Sequence, residues 1–173
     1  MPESTSSVTL RAATDADHDF LLTVFASTRS DELTALEGNP TLRQAFINMQ
    51  YSIQQQSYSA CHPAAENSII LLAEQSIGRM LVDRKDAAIL LVDIAILNDY
   101  RNRRIGSSLI QGLLEEAVAS QKSVRLSVYK LNPAVRLYER LGFSRIADDG
   151  VYFEMTWVPR CLPDPSGSEP VLA

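Results

Sequence analysis

The apolar residues of this chain recur at either helical or strand-like spacing, and each change of spacing marks a new element. Val8 to Ala12 alternates, which predicts a first strand. Thr14, followed by Asp15 and Asp17, marks the start of a helix that we expect to run to about Arg29. Its inward face is predicted to consist of Phe20, Leu21, Val24 and Phe25.

A second, more polar helix is predicted over residues 41–59, after a connection over 30–40. It is expected to have an apolar side and a polar side. The apolar side is formed by residues at helical spacing: Leu42, Phe46, Met49 and Ile53. The three glutamines 54–56 and Tyr58 are placed on the other side.

Three apolar runs, 68–75, 77–83 and 87–97, predict three strands. The connections are short, at Gln75-Ser76 and at 84–86, so the strands should form an antiparallel meander. A helical pattern begins after Ile105, and a buried strand follows over 123–128. Because a helix joins them, the strand at 87–97 and the strand at 123–128 should run parallel.

The last elements are predicted from proline and glycine positions. Pro133 suits the first turn of a helix that ends near Leu141, with Gly142 as its stop. Two closing strands, 143–147 and 151–157, flank a turn at 148–150. The segments 1–7 and 159–173 are rich in small residues and proline, and we expect them to be disordered tails.

Composition narrows the function classes. The chain has 173 residues and a net charge of -5, which suits one domain and argues against a nucleic-acid partner. No run is long and apolar enough to span a membrane, and the first residues do not resemble a leader, so a cytoplasmic protein with no membrane partner is expected. Cys61 and Cys161 form no paired motif, and no metal is expected.

The turn before the helix at 105 has the composition of an anion site. The first amides of a helix have no partner in the helix, and here they follow three arginines and a glycine-containing turn. Such an arrangement binds a polyanion, most simply a pyrophosphate. The alternative is a solvated arginine-rich loop. The turn has neither the Walker spacing nor the three glycines of a dinucleotide-binding turn.

Two runs resemble the GNAT superfamily of acetyl-CoA-dependent N-acetyltransferases. The first, LNDYRNRRIGSSLI at 97–110, resembles the family's phosphate-binding signature, except that Arg104 stands where the family has its first glycine. The second, LNPAVRLYERLGF at 131–143, resembles the ending that carries the family's asparagine and tyrosine. The predicted element order, β-α-α-β-β-β-α-β-α-β-β, is also the order of that fold.

The resemblance implies an α/β (α+β) GNAT-like domain over 8–158. Its sheet would be mixed, mostly antiparallel, with a splayed parallel strand pair and about four flanking helices. The implied activity is transfer of an acetyl group from acetyl-CoA to a primary amine of a small molecule or peptide, in a ternary complex. A non-catalytic acyl-CoA-binding or sensing module is the alternative. The protein is expected to be a monomer or homodimer.

The resemblance also implies a set of residues that bind the co-substrate. Strand main-chain groups would contact the pantetheine arm, and the turn amides and arginines would hold the pyrophosphate. Asn132 would reach the pantetheine, and Arg136 would either contact the adenosine phosphate or lie on the surface. The full set is Ile94, Ile96, Arg101, Arg103, Arg104, Ile105, Gly106, Ser107, Ser108, Asn132 and Arg136.

Two residues are candidates for catalysis. By the resemblance, Tyr138 would protonate the departing thiolate; the alternative is a packed core aromatic. Asp93 is the one ionisable residue in its apolar strand, so it needs a partner or a role. It either takes the ammonium proton, directly or through water, or simply orients the amine. The alternative is a residue that caps a strand bulge or pairs with an arginine. Acceptor contacts are expected from the first two helices: Arg29, Asp31, Glu32, Gln50, Gln54 and Tyr58.

Overall fold

The computed structural model describes residues 7–160, and the predicted tails lie almost entirely outside this range. Seven strands form one sheet in the order β1-β2-β3-β4-β5-β7-β6. Only β4 and β5 run parallel, which confirms the predicted mixed sheet with one parallel pair. The strands are β1 (Val8–Ala12), β2 (Glu66–Leu72), β3 (Gln75–Arg84), β4 (Ala88–Ile96), β5 (Ser123–Tyr129), β6 (Ser144–Asp148) and β7 (Tyr152–Trp157).

Five α-helices lie within the described range, one more than the sequence predicts. The additional helix occupies part of the segment predicted as a connection, where acidic residues suit its first turn and Leu33 is buried. No helix of residues 7–160 is long and apolar enough to cross a membrane. The helices are α1 (His18–Ser27), α2 (Ser30–Thr34), α3 (Pro40–Cys61), α4 (Ile105–Ser120) and α5 (Ala134–Arg140).

The sheet separates two apolar clusters, because successive strand residues point to opposite faces. Ile70 belongs to the larger cluster, which includes the buried side chains of α4 and α5. Its neighbour Ile69 belongs to the smaller cluster, formed with α1, α2 and α3. The sheet is therefore covered by α4 and α5 on one face and by the first three helices on the other.

The predicted apolar side of α3 is wrong for three of its four residues, and Phe46 alone packs against the smaller cluster. Leu42 and Met49 are 52% exposed and Ile53 is 55% exposed, whereas Ile47 and Tyr51 are buried. At 100° per residue, Leu42 lies about 140° around the helix from Ile47. The helix packs against α1 through the face that carries Tyr51. Tyr51 contacts Phe25 edge to face, with ring centroids 5.5 Å apart.

The turn between β2 and β3 also differs from the prediction. Ala73 and Glu74 form it, with φ angles of 47° and 70°, while the predicted turn residues Gln75 and Ser76 lie in β3. Two consecutive left-handed residues match the twist of a tight hairpin. The turn between β3 and β4 lies at 85–87, close to its predicted place.

The parallel pair β4–β5 separates halfway along its length. Pairing runs from Ala88 opposite Ser123 to Leu91 opposite Leu126 and then stops. At the same level β4 bulges, because Val92 is skipped in its pairing with β3. Beyond this point the remainders of β4 and β5 are paired only on their outer edges. The predicted splayed gap is therefore present, with main-chain groups of both strands along its sides.

Candidate active site

The turn from β4 into α4 presents an uncapped helix N-terminus at the open end of the gap. A 3₁₀ turn at Asn98–Tyr100 leads into residues 101–104, and α4 begins at Ile105. Arg104 precedes the helix with φ 61° and ψ 8°, and its side chain makes no capping bond. The first amides of α4 are therefore left for a ligand or solvent.

Arg104 adopts the left-handed conformation that glycine adopts without strain. This is the position where the resembled signature has its first glycine. Asn102, two residues earlier, is also left-handed, with φ 60°. The backbone shape of a glycine-containing turn is thus kept, and the arginine side chain is added to it.

The predicted arginines come together at this turn. Arg101 donates from Nε to the carbonyl oxygen of Ile96 at 2.7 Å, which fixes its guanidinium at the end of β4. The Arg103 guanidinium lies over the ring of Tyr100, 5.2 Å from its centroid. Arg101, Arg103 and Arg104 are all exposed. The turn therefore carries three cationic groups beside the first amides of α4.

Space for a ligand remains at Gly106. A Cβ built there would meet only the Cδ1 of Ile96, at 3.7 Å, which is an ordinary contact. Packing inside the protein therefore does not require a glycine at this position. An open approach to the backbone beside uncapped amides suits a bound phosphate. Ser107 and Ser108 follow in the first turn of α4.

The start of α5 lies across the gap from this turn's strand. Asn132 accepts a hydrogen bond from the Ala134 amide to its Oδ1 at 2.9 Å, which forms the turn into α5. Its side-chain NH₂ group remains available as a donor, and the residue is exposed. Arg136 is also exposed, in the first turn of α5. Both alternatives for Arg136, phosphate contact or surface residue, are compatible with this position.

The position of Tyr138 is compatible with both roles that the sequence leaves open. It is 6% exposed, and its ring meets that of Phe143 edge to face at 5.7 Å, as a core aromatic would. Burial and the negative charge of Asp93 raise the pKa of Tyr138 to about 12. The phenol therefore stays protonated at neutral pH and remains a donor.

Asp93 pairs with an arginine that the sequence analysis did not select. Its Oδ2 lies 3.7 Å from Nη1 of Arg79, and Asp93 follows the bulge at Val92. Burial raises the pKa of Asp93, and the charge of Arg79 and the Ile94 amide partly oppose that rise. A carboxylate with a raised pKa close to a buried tyrosine is typical of acid-base sites.

Two side chains of α3, Tyr58 and Gln55, lie against Arg79. The Tyr58 ring lies 5.6 Å from the Arg79 guanidinium, and burial together with the Asp93 charge raises the pKa of Tyr58 to about 12. Gln55, rather than the expected Gln54 or Gln50, bonds to Arg79. Arg29 lies over the ring of Phe25 and pairs with Glu32 at 3.2 Å.

Sequence reasoning did not select Arg79 as a site residue. It also did not select the two side chains that accept hydrogen bonds from Arg79, Gln55 and Asn67. A signal for Arg79 was present, since a charged side chain in an apolar strand needs a partner, as was argued for Asp93. The predicted meander places their strands side by side, but the register that makes Arg79 and Asp93 diagonal neighbours is known only from the structure. No cluster of three or more His, Cys, Asp or Glu side chains that could hold a metal occurs in residues 7–160.

Residues 65–145, which contain this gap and turn, match the family model described as the acetyltransferase (GNAT) domain. This segment is therefore similar to a GNAT acetyltransferase domain. No curated protein sequence matches this chain. A subfamily is not identified by sequence.

Solved acetyltransferase structures share the fold of this chain at low sequence identity. PaiA N-acetyltransferase from Thermoplasma acidophilum, in complex with coenzyme A, has a TM-score of 0.65 and 18% identity, covering 88% of this chain and 99% of its own. A histone acetyltransferase HPA2-related protein from Corynebacterium glutamicum has a TM-score of 0.59 and 22% identity, with 91% and 99% covered. A GNAT family acetyltransferase from Elizabethkingia anophelis with acetyl-CoA bound has a TM-score of 0.55 and 14% identity, with 90% and 100% covered.

Proposed function

We propose that this protein transfers the acetyl group of acetyl-CoA to a primary amine of a small molecule or peptide. One observation carries the proposal: the splayed β4–β5 gap opens beside the uncapped, arginine-flanked N-terminus of α4. Tyr138, whose pKa is raised by burial and by the charge of Asp93, is the proposed proton donor. An anion site and a proton donor at one strand gap suit a substrate with a pyrophosphate and a reactive thioester. Two of the similar solved structures, from Thermoplasma acidophilum and Elizabethkingia anophelis, contain coenzyme A and acetyl-CoA respectively.

The pyrophosphate is placed at the start of α4. Amides from Arg103 to Ser108 would donate to its oxygens, and the positive end of the helix dipole favours its charge. The exposed guanidinium groups of Arg101, Arg103 and Arg104 would add charge-assisted hydrogen bonds. Arg136 is the candidate for the adenosine phosphate.

The pantetheine arm is placed in the gap itself. Main-chain groups of Ile94 and Ile96 on the gap side of β4 would bond to its amides, as in strand addition. The Ile96 carbonyl already accepts from Arg101 Nε and retains a second lone pair. On the other side, the free NH₂ of Asn132 would donate to a pantetheine carbonyl.

The reaction proposed is direct attack of the amine in a ternary complex. The amine lone pair forms an N–C bond to the thioester carbonyl, giving a tetrahedral oxyanion that a main-chain N–H can stabilise. Collapse breaks the C–S bond and releases the thiolate. Tyr138 donates its proton to the sulfur, and the proton lost by the amine leaves through the base. The products are the N-acetyl amine and the free thiol.

The raised pKa of Tyr138 limits how early that proton moves. Proton transfer from a phenol with a pKa of about 12 to a thiolate whose thiol has a pKa of about 8.5 is unfavourable in free energy. Proton transfer should therefore accompany the final cleavage of the C–S bond, with a hydrogen bond to sulfur before it. Asp93 is the proposed base, since its raised pKa brings it closer to the working pH than an ordinary aspartate.

A thiol-release assay tests the proposal. The protein would be mixed with acetyl-CoA and a panel of amines, aminoglycosides, amino acids and peptides, and unfolding would be followed with acetyl-CoA alone. Thiol release with one acceptor class supports acetyl transfer and identifies the class. Thermal stabilisation by acetyl-CoA without release from any acceptor favours the non-catalytic binding module. Absence of stabilisation contradicts both. The cytoplasmic location and the monomer or homodimer state stay predictions.

A further inference from the structure

Arg79 is a charged side chain inside the fold. It lies in the middle of β3 and is 3% exposed, and its neighbours along the strand are Gly78 and the buried Met80. A guanidinium group in such a place costs several kcal/mol of desolvation unless partners satisfy it. The contacts of Arg79 therefore indicate why the charge is retained.

Neutral groups from two elements fix the orientation of the guanidinium. Nε donates to Oδ1 of Asn67 in β2 at 2.9 Å, and Nη2 donates to Oε1 of Gln55 in α3 at 3.2 Å. The ring of Tyr58 stacks 5.6 Å away. The position of Arg79 is thus set by amide and aromatic groups, without help from a carboxylate.

Asp93, in β4, supplies the negative charge beside Arg79. In the sheet register Arg79 faces Ala95 and Leu81 faces Asp93, so Arg79 and Asp93 are diagonal neighbours on one face of the sheet. Asn67, which faces Leu81 from β2, lies on the same face. The three side chains form a polar row across β2, β3 and β4.

The Arg79–Asp93 contact is long for an ion pair that shares hydrogen bonds. The separation of 3.7 Å exceeds the 2.7–2.9 Å typical of a charge-assisted hydrogen bond. The Asp93 side chain is also 25% exposed, against 4% for Arg79. Asp93 therefore feels the positive charge of Arg79 without a short hydrogen bond to it, and its side chain stays partly exposed.

We propose that Arg79 is a positioning residue for the transfer reaction: it aims the Asp93 carboxylate at the acceptor amine and supplies the charge that balances it. This inference rests on the proposed function. The negative charge of Asp93 also acts on two tyrosines, Tyr58 in α3 and Tyr138 in α5, and burial together with that charge raises the pKa of each to about 12. Between pH 5 and 9 these phenols stay neutral, so their own charge does not change around Asp93.

The test compares Arg79→Met, Arg79→Lys and wild-type protein. An opposite charge at this distance lowers a carboxyl pKa by about one to three units, so removing it should raise the pKa of Asp93 by about one unit or more. The direct readout is a carboxyl-carbon NMR titration of Asp93, assigned with Asp93→Asn. The second readout is the acidic limb of kcat/KM against pH, which should move to higher pH by the same amount. Arg79→Lys should restore part of both shifts.

Two further variants guard against a trivial result. Arg84→Met removes another β3 arginine, one that pairs with Glu66 and Glu116 and does not contact Asp93, and it should move neither readout. Gln55→Ala removes one hydrogen-bond partner of Arg79. Gln55 lies in α3, where a substitution should destabilise the protein less than one inside β3. The Gln55→Ala variant should move both readouts in the same direction as Arg79→Met, by less.

The outcomes separate this inference from the proposed function. If Asp93 titrates unchanged in folded Arg79→Met and in Gln55→Ala, the inference is overturned, whether or not acetyl transfer occurs. If the Asp93 titration moves and the kcat/KM profile does not, Asp93 is not the base, and both the inference and that part of the proposed mechanism are overturned. Parallel movement of the two readouts supports the inference.

Discussion

Replacing Arg104 by glycine should stabilise the protein while changing co-substrate affinity only modestly. Arg104 is held at φ 61° and ψ 8°, where a residue with a Cβ pays about 1–2 kcal/mol that glycine does not pay. The glycine variant loses about 0.4–1 kcal/mol of that gain, because its unfolded chain has greater conformational freedom. The net expectation is a gain of about 0.5–1 kcal/mol, or about 1–4 °C in Tm for a domain of this size.

The chain contains a matched control for this substitution. Gln121 ends α4 in the same left-handed region, with φ 56° and ψ 37°, at the opposite end of the helix from the proposed phosphate site. Gln121→Gly should give a similar gain in Tm with no change in acetyl-CoA affinity. Thermal unfolding measures the first quantity, and calorimetric titration with acetyl-CoA measures the second.

The affinity result distinguishes two roles for the Arg104 side chain. An exposed guanidinium among several phosphate contacts should cost at most about tenfold in Kd, or about 1.4 kcal/mol, when it is removed. A larger loss would make Arg104 a principal phosphate ligand. A fall in Tm for Arg104→Gly, alongside a rise for Gln121→Gly, would refute the strain argument.

Four other substitutions have defined expectations. Tyr138→Phe keeps the ring contact with Phe143 and should lower kcat by about 100-fold or more, with acetyl-CoA affinity within about tenfold; equal turnover in steady-state kinetics would remove Tyr138 from the mechanism. Asp93→Asn should abolish the acidic limb of the rate profile. The remaining rate should rise with pH up to the pKa of the amine, because only amine that is deprotonated in solution then reacts. A pH profile like that of the wild type would show that Asp93 is not the base. Gly78→Ala should cost about 1–3 kcal/mol in urea unfolding, because its Cβ would lie 2.3 Å from the Ala95 carbonyl oxygen; Gly112→Ala, whose Cβ has open space in α4, should stabilise instead.

The sequence predicted those parts of the fold that follow from chain connection. A helix between two apolar strands requires a parallel crossover, and β4 and β5 do run parallel. The turn at 101–108 was recognisable because its arginines, glycine and serines are adjacent in the sequence. The structure then brings these residues together at one helix start, as local motifs predict.

The features that were missed depend on contacts between distant residues. The apolar stripe of α3 was a regular pattern, but Ile47 and Tyr51 formed a second candidate face, and packing on α1 decided between them. The partnership of Arg79 with Asp93 required the register of β3 and β4, which no local pattern supplies. Arginine disfavours the left-handed backbone conformation that Arg104 adopts, so the surrounding turn sets this conformation.

Hydrogen-deuterium exchange with and without acetyl-CoA tests whether the co-substrate binds in the β4–β5 gap, and it does so without requiring the acceptor. We expect new protection in peptides that cover 93–108, along β4 and into the start of α4, and in peptides that cover 127–138, from the end of β5 into α5. Amides of the exposed α3 face, around Leu42 and Met49, should exchange as before. Protection confined to α1–α3, or none at saturating acetyl-CoA, would contradict the placement of the co-substrate in the β4–β5 gap.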